Sequence, residues 1–415
     1  MTDKNLLRCS LLLTMFVWQA CSDLIAADWP RFRGPKGDGT SSDAGIPTEW
    51  SDSKNLKWQL KLPGAGFSSP IVVGKHVFLT AYSGSGSAVK RHLLCIDRET
   101  GQEIWSKAFD GVSDRGEPGF AYHGQASHTP VCDGERVYAM LGSSGVKVFD
   151  LSGKELWQQE LGNERASRFG TASSPILYGD LLIVTAGPES ESMRAFDKKT
   201  GKEVWKTEAG SLSGTYSTPL IAANAEGVDE LLLSVTGEVW GLNPTSGKFK
   251  WYAETRVDTA ACPSLLAHNG VAYVIGGRSG GRTAVRVGGK NDVTQSNVLW
   301  SESGGAYVPS PILHQERLFW INDRGIASCV DAKTGKELGR KRLGGRFYAS
   351  VVLINNVIYA VSRFDGTYVL QATPKFEQIA HNKLADKSDF SGSPAVSDGQ
   401  LFIRSDESLY CIAAE

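Results

Sequence analysis

The side chains best suited to chemistry are few, and their spacing suits it badly. His123, His128 and Cys132 invite a metal-site reading. If His128 and Cys132 share an extended strand, a rise of ~3.3 Å per residue sets their backbones ~13 Å apart. Ligand bonds of about 2.0–2.3 Å cannot span that gap around one tetrahedral ion. A pairing of His123 with His128 across a loop stays open. The seven cysteines include no CxxC and no adjacent pair, and the five beyond residue 27 are an odd number, so neither a zinc site nor a disulfide framework is indicated. Cys95, Cys329 and Cys411 lie in the apolar runs LLCID, ASCVD and LYCIA and read as small buried hydrophobes. Asp38 and Asp43 lack EF-hand spacing and read as turn residues. A kinase Gly-rich loop, VAIK lysine, HRD and DFG are all missing; so is a GxSxG elbow in a plausible setting. No catalytic residue is assigned.

Composition narrows the partners. With 44 basic and 45 acidic side chains the 415-residue chain has a formal net charge of −1, which offers no phosphate-binding surface and argues against nucleic acid. Residues 1–27 have the anatomy of an export signal. Lys4 and Arg8 precede the apolar stretch Leu11 to Ala20, which is too short to span a bilayer, and small residues follow up to Ala27. Cleavage after Ala27 would deliver the chain to the periplasm or cell surface. Cys21 after Ala20 leaves a lipid anchor as the one route to membrane association.

Self-similarity fixes the architecture. One motif runs apolar strand, Asp, turn, Thr-Gly, and a Trp four residues after the Gly, as in CIDRETGQEIW (95–105) and AFDKKTGKEVW (195–205). Variants occur in FDLSGKELW, GLNPTSGKFKW and CVDAKTGKEL; before Trp300 the longer turn GGKNDVTQSN intervenes. A second motif, small-small-Pro-apolar followed by a turn and another apolar strand, occurs eight times, from SSPIVVGKHVFL to GSPAVSDGQLFI. Both motifs are strand–turn–strand units, so each repeat supplies four strands. The expectation is an all-β, eight-bladed β-propeller over residues 55–415, with an irregular arm at 28–54 pinned by Trp29, Phe32 and Trp50. The outer-strand positions read Trp58, Trp105, Trp157, Trp205, Trp251 and Trp300, each bridging to the adjacent blade. Leu338 and a degenerate slot near Ile379 complete the count. The count balances only if Asn55 to Leu62 completes the blade begun at the C-terminus. The repeat aspartates Asp97, Asp150, Asp197 and Asp331 read as turn caps.

The AFDKKTGKEVW copy resembles the tryptophan-docking repeat of pyrroloquinoline quinone (PQQ) dehydrogenases. From Asp28 to the end, the chain is similar to secreted PQQ-like propeller repeat proteins, a group that includes the BamB outer-membrane assembly lipoproteins. WPRFRGPKGDG, VTQSNVLW and LFIRSDESLYCI look most like a branch common in planctomycete-type bacteria. The dehydrogenases of this resemblance hold PQQ between a Trp and a disulfide of adjacent cysteines, with Ca²⁺ on Glu, Asn and Asp. This sequence lacks the adjacent cysteines, the long inter-blade insertions and a CxxCH haem motif. PQQ with Ca²⁺ therefore belongs to the alternative reading, an alcohol- or sugar-dehydrogenase-like oxidoreductase. The favoured reading needs no cofactor: a monomeric, non-catalytic scaffold of the cell envelope binding a protein or small ligand.

The binding surface is expected where loops enter the innermost strands, around one mouth of the channel. Those loops carry Phe67, Tyr122, Phe169, Tyr216, Tyr307, Phe347 with Tyr348, and Phe390, accompanied by His123, His128, Arg168, Arg256 and Arg346. Aromatics and Arg are enriched at binding hot spots, and concave rims are the usual sites. For each single aromatic, plugging the gap between blades is the competing role. Pairing of an extended partner on an outer strand is the second candidate surface, one that Lys154, Glu155, Lys206 and Glu208 guard.

Overall fold

A computed structural model describes residues 28–111, 125–163, 169–278 and 280–415. Eight sheets follow one another along the chain, each with four antiparallel strands that run in sequence order from the channel outward except in the closing blade, and two of them gain a short parallel fifth strand. Blade 1 covers 71–110, blade 2 131–159, blade 3 176–208, blade 4 220–254, blade 5 266–303, blade 6 312–342 and blade 7 352–382. Blade 8 takes three strands from 395–413, and its outer strand is Leu56–Lys61, paired antiparallel to Ser408–Ala413. The expected sharing of one blade by the two ends of the sequence is what the structure shows. It leaves no sheet half-built at the seam.

A four-stranded blade has two apolar faces, so it is stable only between neighbours. The core is accordingly divided into clusters between successive blades. One joins Phe78 and Leu93 of blade 1 to Val137 and Phe149 of blade 2, another joins Tyr138 and Val148 to Leu182 and Phe196, and the series continues around the ring. The cluster at the seam contains Val77 and Leu94 of blade 1 together with Phe402 and Cys411 of blade 8. The cysteines predicted to be buried hydrophobes are buried and unbridged.

At the outer radius the repeat Trp residues latch one blade to the next. The indole N–H of Trp58 donates to the Arg98 carbonyl at 2.8 Å, Trp105 to Leu151 at 3.0 Å, Trp157 to Lys198 at 3.1 Å, Trp205 to Pro244 at 3.1 Å and Trp300 to Ala332 at 3.0 Å. Each acceptor lies in the turn of the following blade, and the ring lies flat on the Gly of that turn. At Gly101 a Cβ would come within 2.6 Å of Trp58, and φ is +71°, so the site requires glycine twice over. The turns themselves are held as expected: Asp97 accepts the amides of Glu99 and Thr100 and the Thr100 hydroxyl at 2.8–3.0 Å, and Asp150, Asp197 and Asp331 act alike.

Three outer positions differ from expectation. Trp251 packs against Val285 and Val293 of blade 5, but its N–H goes to Glu230 in its own blade at 2.5 Å. The insertion before Trp300 is the reason: instead of a tight glycine turn, Asn291–Asp292 adds a parallel fifth strand to blade 4. Leu338 and Ile379 do not fill the remaining slots. Strand register pairs Cys95 with Trp105 but Cys329 with Gly339 and Val369 with Ala380, so the equivalent positions lie one residue later. Leu338 is 45% exposed. Gly339 instead admits the turn at Pro374, and Phe376 fills the space, edge-on to Phe319 at 5.8 Å.

The arm does more than pin itself by its aromatics. Trp29 bridges to Val72 of blade 1, and the Pro30 carbonyl accepts from Cys132 of blade 2. Arg33 donates across the pore to carbonyls of Ser264 and Pro311, and Thr40–Ser41 pair in parallel with Leu353–Ile354 of blade 7. Trp50 stacks on Tyr359 at 6.3 Å. Asp38 accepts from the amide and hydroxyl of Thr40, the expected turn role. The arm thus crosses the channel on the side opposite the aromatic mouth.

Trp105→Ala should lower the unfolding free energy by about 3–5 kcal/mol, as large-to-small changes at packed aromatics do. Leu338→Ala should stay within about 0.5 kcal/mol. Urea denaturation of the two variants checks this, and a Leu338→Ala as damaging as Trp105→Ala would restore Leu338 to the latch.

Candidate functional site: a blind funnel at the channel mouth

The small-small-Pro motif places a Ser or Thr at the head of every inner strand, and these residues form a closed circle. The backbone N–H of Ser69 donates to the Thr129 hydroxyl, Thr129 to Ser174, Ser174 to Thr218 and Thr218 to Ser264, at 2.8–3.1 Å. Ser264 donates to Ser310, Ser310 to Ser350, Ser350 to Ser393, and Ser393 back to Ser69, at 2.9–3.1 Å. All eight residues are buried. Just outside the circle, the hydroxyls of Ser68, Ser173 and Ser217 donate to the carbonyls of Thr80, Ser217 and Ser234 at 2.8–2.9 Å.

Above this circle a cavity of about 230 Å³ opens toward the mouth face. Its walls include Ser174, Thr218, Ser264, Ser310, Ser350 and Ser393, and Phe32 of the arm contributes to its lining. The rim is aromatic: Phe67, Phe169, Tyr216, Tyr307 and Tyr348. Phe169 meets Tyr216 edge-on at 6.4 Å, a favourable aromatic geometry. Arg278 also lines the cavity, its guanidinium 5.3 Å from the Tyr307 ring, and a hydrogen bond to that tyrosine holds its pKa above the ordinary value. The Arg363 guanidinium lies 4.1 Å over Tyr348 while bonded to Asp389 at 2.9 Å, so the tyrosine rests on an anchored cation.

Beneath the cavity lie two arginines of the arm. Burial pushes Arg31 and Arg33 down to about 10, still charged at neutral pH. Neither forms an ion pair among the described residues.

The predicted mouth set is thus partly assembled. Phe67, Phe169, Tyr216, Tyr307 and Tyr348 converge; Tyr122, His123 and Arg168 lie outside the described residues. Phe347 is a core residue packed on Tyr368 at 5.9 Å, because in extended chain it must point opposite to Tyr348. Phe390 stacks on Tyr410 at 6.0 Å in the closing blade. Arg256 turns outward, its Nε on the Ser301 hydroxyl at 3.2 Å on the outer strand of blade 5. Arg346 is exposed and does not line the cavity. His128 sits behind the wall, Nδ1 at 2.5 Å from the Ser173 carbonyl and Nε2 at 2.6 Å from the Thr171 hydroxyl, and burial pushes it down to about 4. Sequence reasoning missed Phe32, Arg278 and the hydroxyl circle. The repeated small residue beside Pro was visible, but its side-chain role was not.

No cluster of three metal-binding side chains occurs among the described residues. Among the described residues the cavity lining contains no Asp or Glu, and its one cysteine is Cys262. Ca²⁺ needs six to eight oxygen ligands, carboxylates foremost. The donors present among the described residues do not fit a PQQ–Ca²⁺ pair.

A family model described as outer membrane protein assembly factor BamB matches residues 42–170 and 89–340. BamB of Burkholderia pseudomallei (strain K96243) is 24% identical over 339 residues, covering 75% of this chain and 77% of the relative. Among solved structures, BamB from Moraxella catarrhalis superposes with a TM-score of 0.62 at 14% identity, covering 87% of this chain and 97% of that one. A quinohemoprotein alcohol dehydrogenase from Pseudomonas putida HK5 gives 0.63 at 12% identity, covering 93% and 80%. At such identities structural likeness speaks to fold alone.

Neutral, buried His128 links stability to acid. Its folded pKa lies below the unfolded value near 6.5, so the unfolded chain binds the extra proton, and stability falls as pH drops from about 6.5 to 4. Asp406, pushed up to about 6 by burial, acts in the opposite sense over part of that range. In His128→Gln the acid-side loss should shrink by up to about 3 kcal/mol. Unfolding at stepped pH checks it; identical pH slopes would contradict it.

Proposed function

The chain belongs to the outer membrane protein assembly factor BamB family, and on that premise we propose that it is a protein-interaction scaffold of the cell envelope that holds its partner at the aromatic mouth of the central funnel. The observation that carries this reading is the convergence of five aromatic side chains from blades spread around the ring on one blind cavity. Plugging a gap between blades accounts for a single aromatic, but not for five from separate loops meeting on one solvent-facing space. A concave, largely apolar site with a few polar groups is the usual form of a binding pocket. The names of its relatives point to partners in outer-membrane assembly, and the export-signal anatomy of residues 1–27 agrees with an envelope location.

A second reading, a PQQ-linked oxidoreductase, draws on the fold likeness to the alcohol dehydrogenase. It finds no donor set in the described funnel. Incubation with PQQ and Ca²⁺, followed by dye reduction with alcohols and sugars, separates the two readings: turnover would establish the second.

For the scaffold, replacing Phe67, Tyr216 and Tyr307 together by Ala should abolish specific capture of envelope partners by the purified protein. Each is only half-buried, so the fold should survive, as circular dichroism would confirm. Unchanged capture would move the binding surface elsewhere.

A further inference from the structure

The hydroxyl circle contains an unspent resource. Each of the eight hydroxyls accepts one backbone N–H, and none donates to any protein group among the described residues. The contrast with Ser68, Ser173 and Ser217, which all donate to carbonyls, shows that acceptors were available one residue away. A hydroxyl carries one donor as well as its lone pairs. Six of the circle's hydroxyl residues line the cavity, so a set of buried, convergent O–H donors faces a space with no carboxylate in its described lining.

Basic groups predominate nearby, with the Asp38 carboxylate acting on Arg31 and Arg33 and Asp389 paired to Arg363. Arg278 stands at the rim, and Arg33 lies below, bonded to the Ser264 and Pro311 carbonyls, with Arg31 beside it. Preorganised donors backed by fixed positive charge in a partly desolvated cavity favour an anion over its neutral isostere. The aromatic rim adds an apolar requirement at the other end of the ligand.

We propose that the funnel takes an aromatic or apolar group carrying one anionic oxygen function, a carboxylate foremost, with its ring among the rim aromatics and its oxygens on the unused hydroxyls. This rests on the mouth being a binding site and adds the chemistry of what it recognises. Two sources offer that chemistry: a free small acid, or the C-terminal carboxylate of a polypeptide ending in an aromatic residue.

The test titrates the full chain with phenylacetate and phenylacetamide, and with a short peptide ending in Phe as free acid and as C-terminal amide, read by calorimetry. The acids should bind at least tenfold more tightly than the amides. Arg278→Gln, at an exposed position, should weaken the acid three- to tenfold and leave the amide unchanged. Thr218→Val, shown folded by its melting curve, should do the same. Equal affinity of phenylacetate and the peptide acid identifies a small acid; a peptide acid tenfold tighter identifies a chain end. Equal binding of acid and amide overturns the anion claim and leaves the mouth as a site. If no probe binds while capture still depends on Phe67, Tyr216 and Tyr307, the proposal fails and the scaffold reading stands. If no probe binds and capture ignores those residues, both fail.

Discussion

A circle of eight amide-to-hydroxyl hydrogen bonds at the channel is the constraint on which the remaining structure depends. Except in blade 7, where Thr40–Ser41 of the arm pair with it, the innermost strand of a blade has no sheet strand on its inner side, and an unpaired strand edge is a liability. The repeat answers it with one Ser or Thr per blade, whose oxygen accepts the equivalent amide of the blade before it. Such a bond is worth about 0.5–1.5 kcal/mol, so the circle contributes less in energy than in register. It closes only if every blade presents its hydroxyl at the same height, and the link from Ser393 to Ser69 joins the last blade to the first. At the outer radius the Trp latches make the same blade-to-blade step. The inter-blade clusters fill the space between the two radii.

A ring held this way leaves a hole. The arm closes one end with Trp29, Phe32 and Arg33, and the other end stays open under the aromatic rim. The result is a blind funnel with an apolar mouth and a donor-rich, positively charged base. On the proposed reading, this asymmetry is what suits the ring to holding a partner at one end. The described lining offers hydroxyls and one Arg where a calcium-bound quinone would need carboxylates.

Much of this was legible in the sequence because repeats carry their own internal control. The repeating Trp and Asp of most outer turns and the sharing of blade 8 by the two ends follow from counting, whereas the seating of each Trp on the next turn's Gly does not. The failures have local physical causes. The slot equivalent to Trp105 is Gly339, four residues after Gly335 just as Trp105 follows Gly101, and the pairing of Cys329 with Gly339 agrees; Leu338 is the last apolar residue before it and faces outward. Phe347 and Tyr348 are neighbours of similar type, but alternation sends one to the core and the other to the rim, and the phase depends on where the strand begins. Phe390 and Arg256 were assigned by loop position, whereas each is drawn off by a nearby partner, Tyr410 and Ser301. The path of the arm could not be read, since Arg33 finds its acceptors 231 and 278 residues away.

The central claim is that the open end of the funnel, and not the rim of outer strands, is where partners are held. Site-specific photocrosslinking in the intact envelope tests it most directly, with a photoreactive phenylalanine placed in turn at Tyr348 of the mouth and at Val204, exposed on the outer strand of blade 3. The account predicts a discrete covalent adduct from position 348 and none from position 204. Adducts from 204 with none from 348 would contradict it.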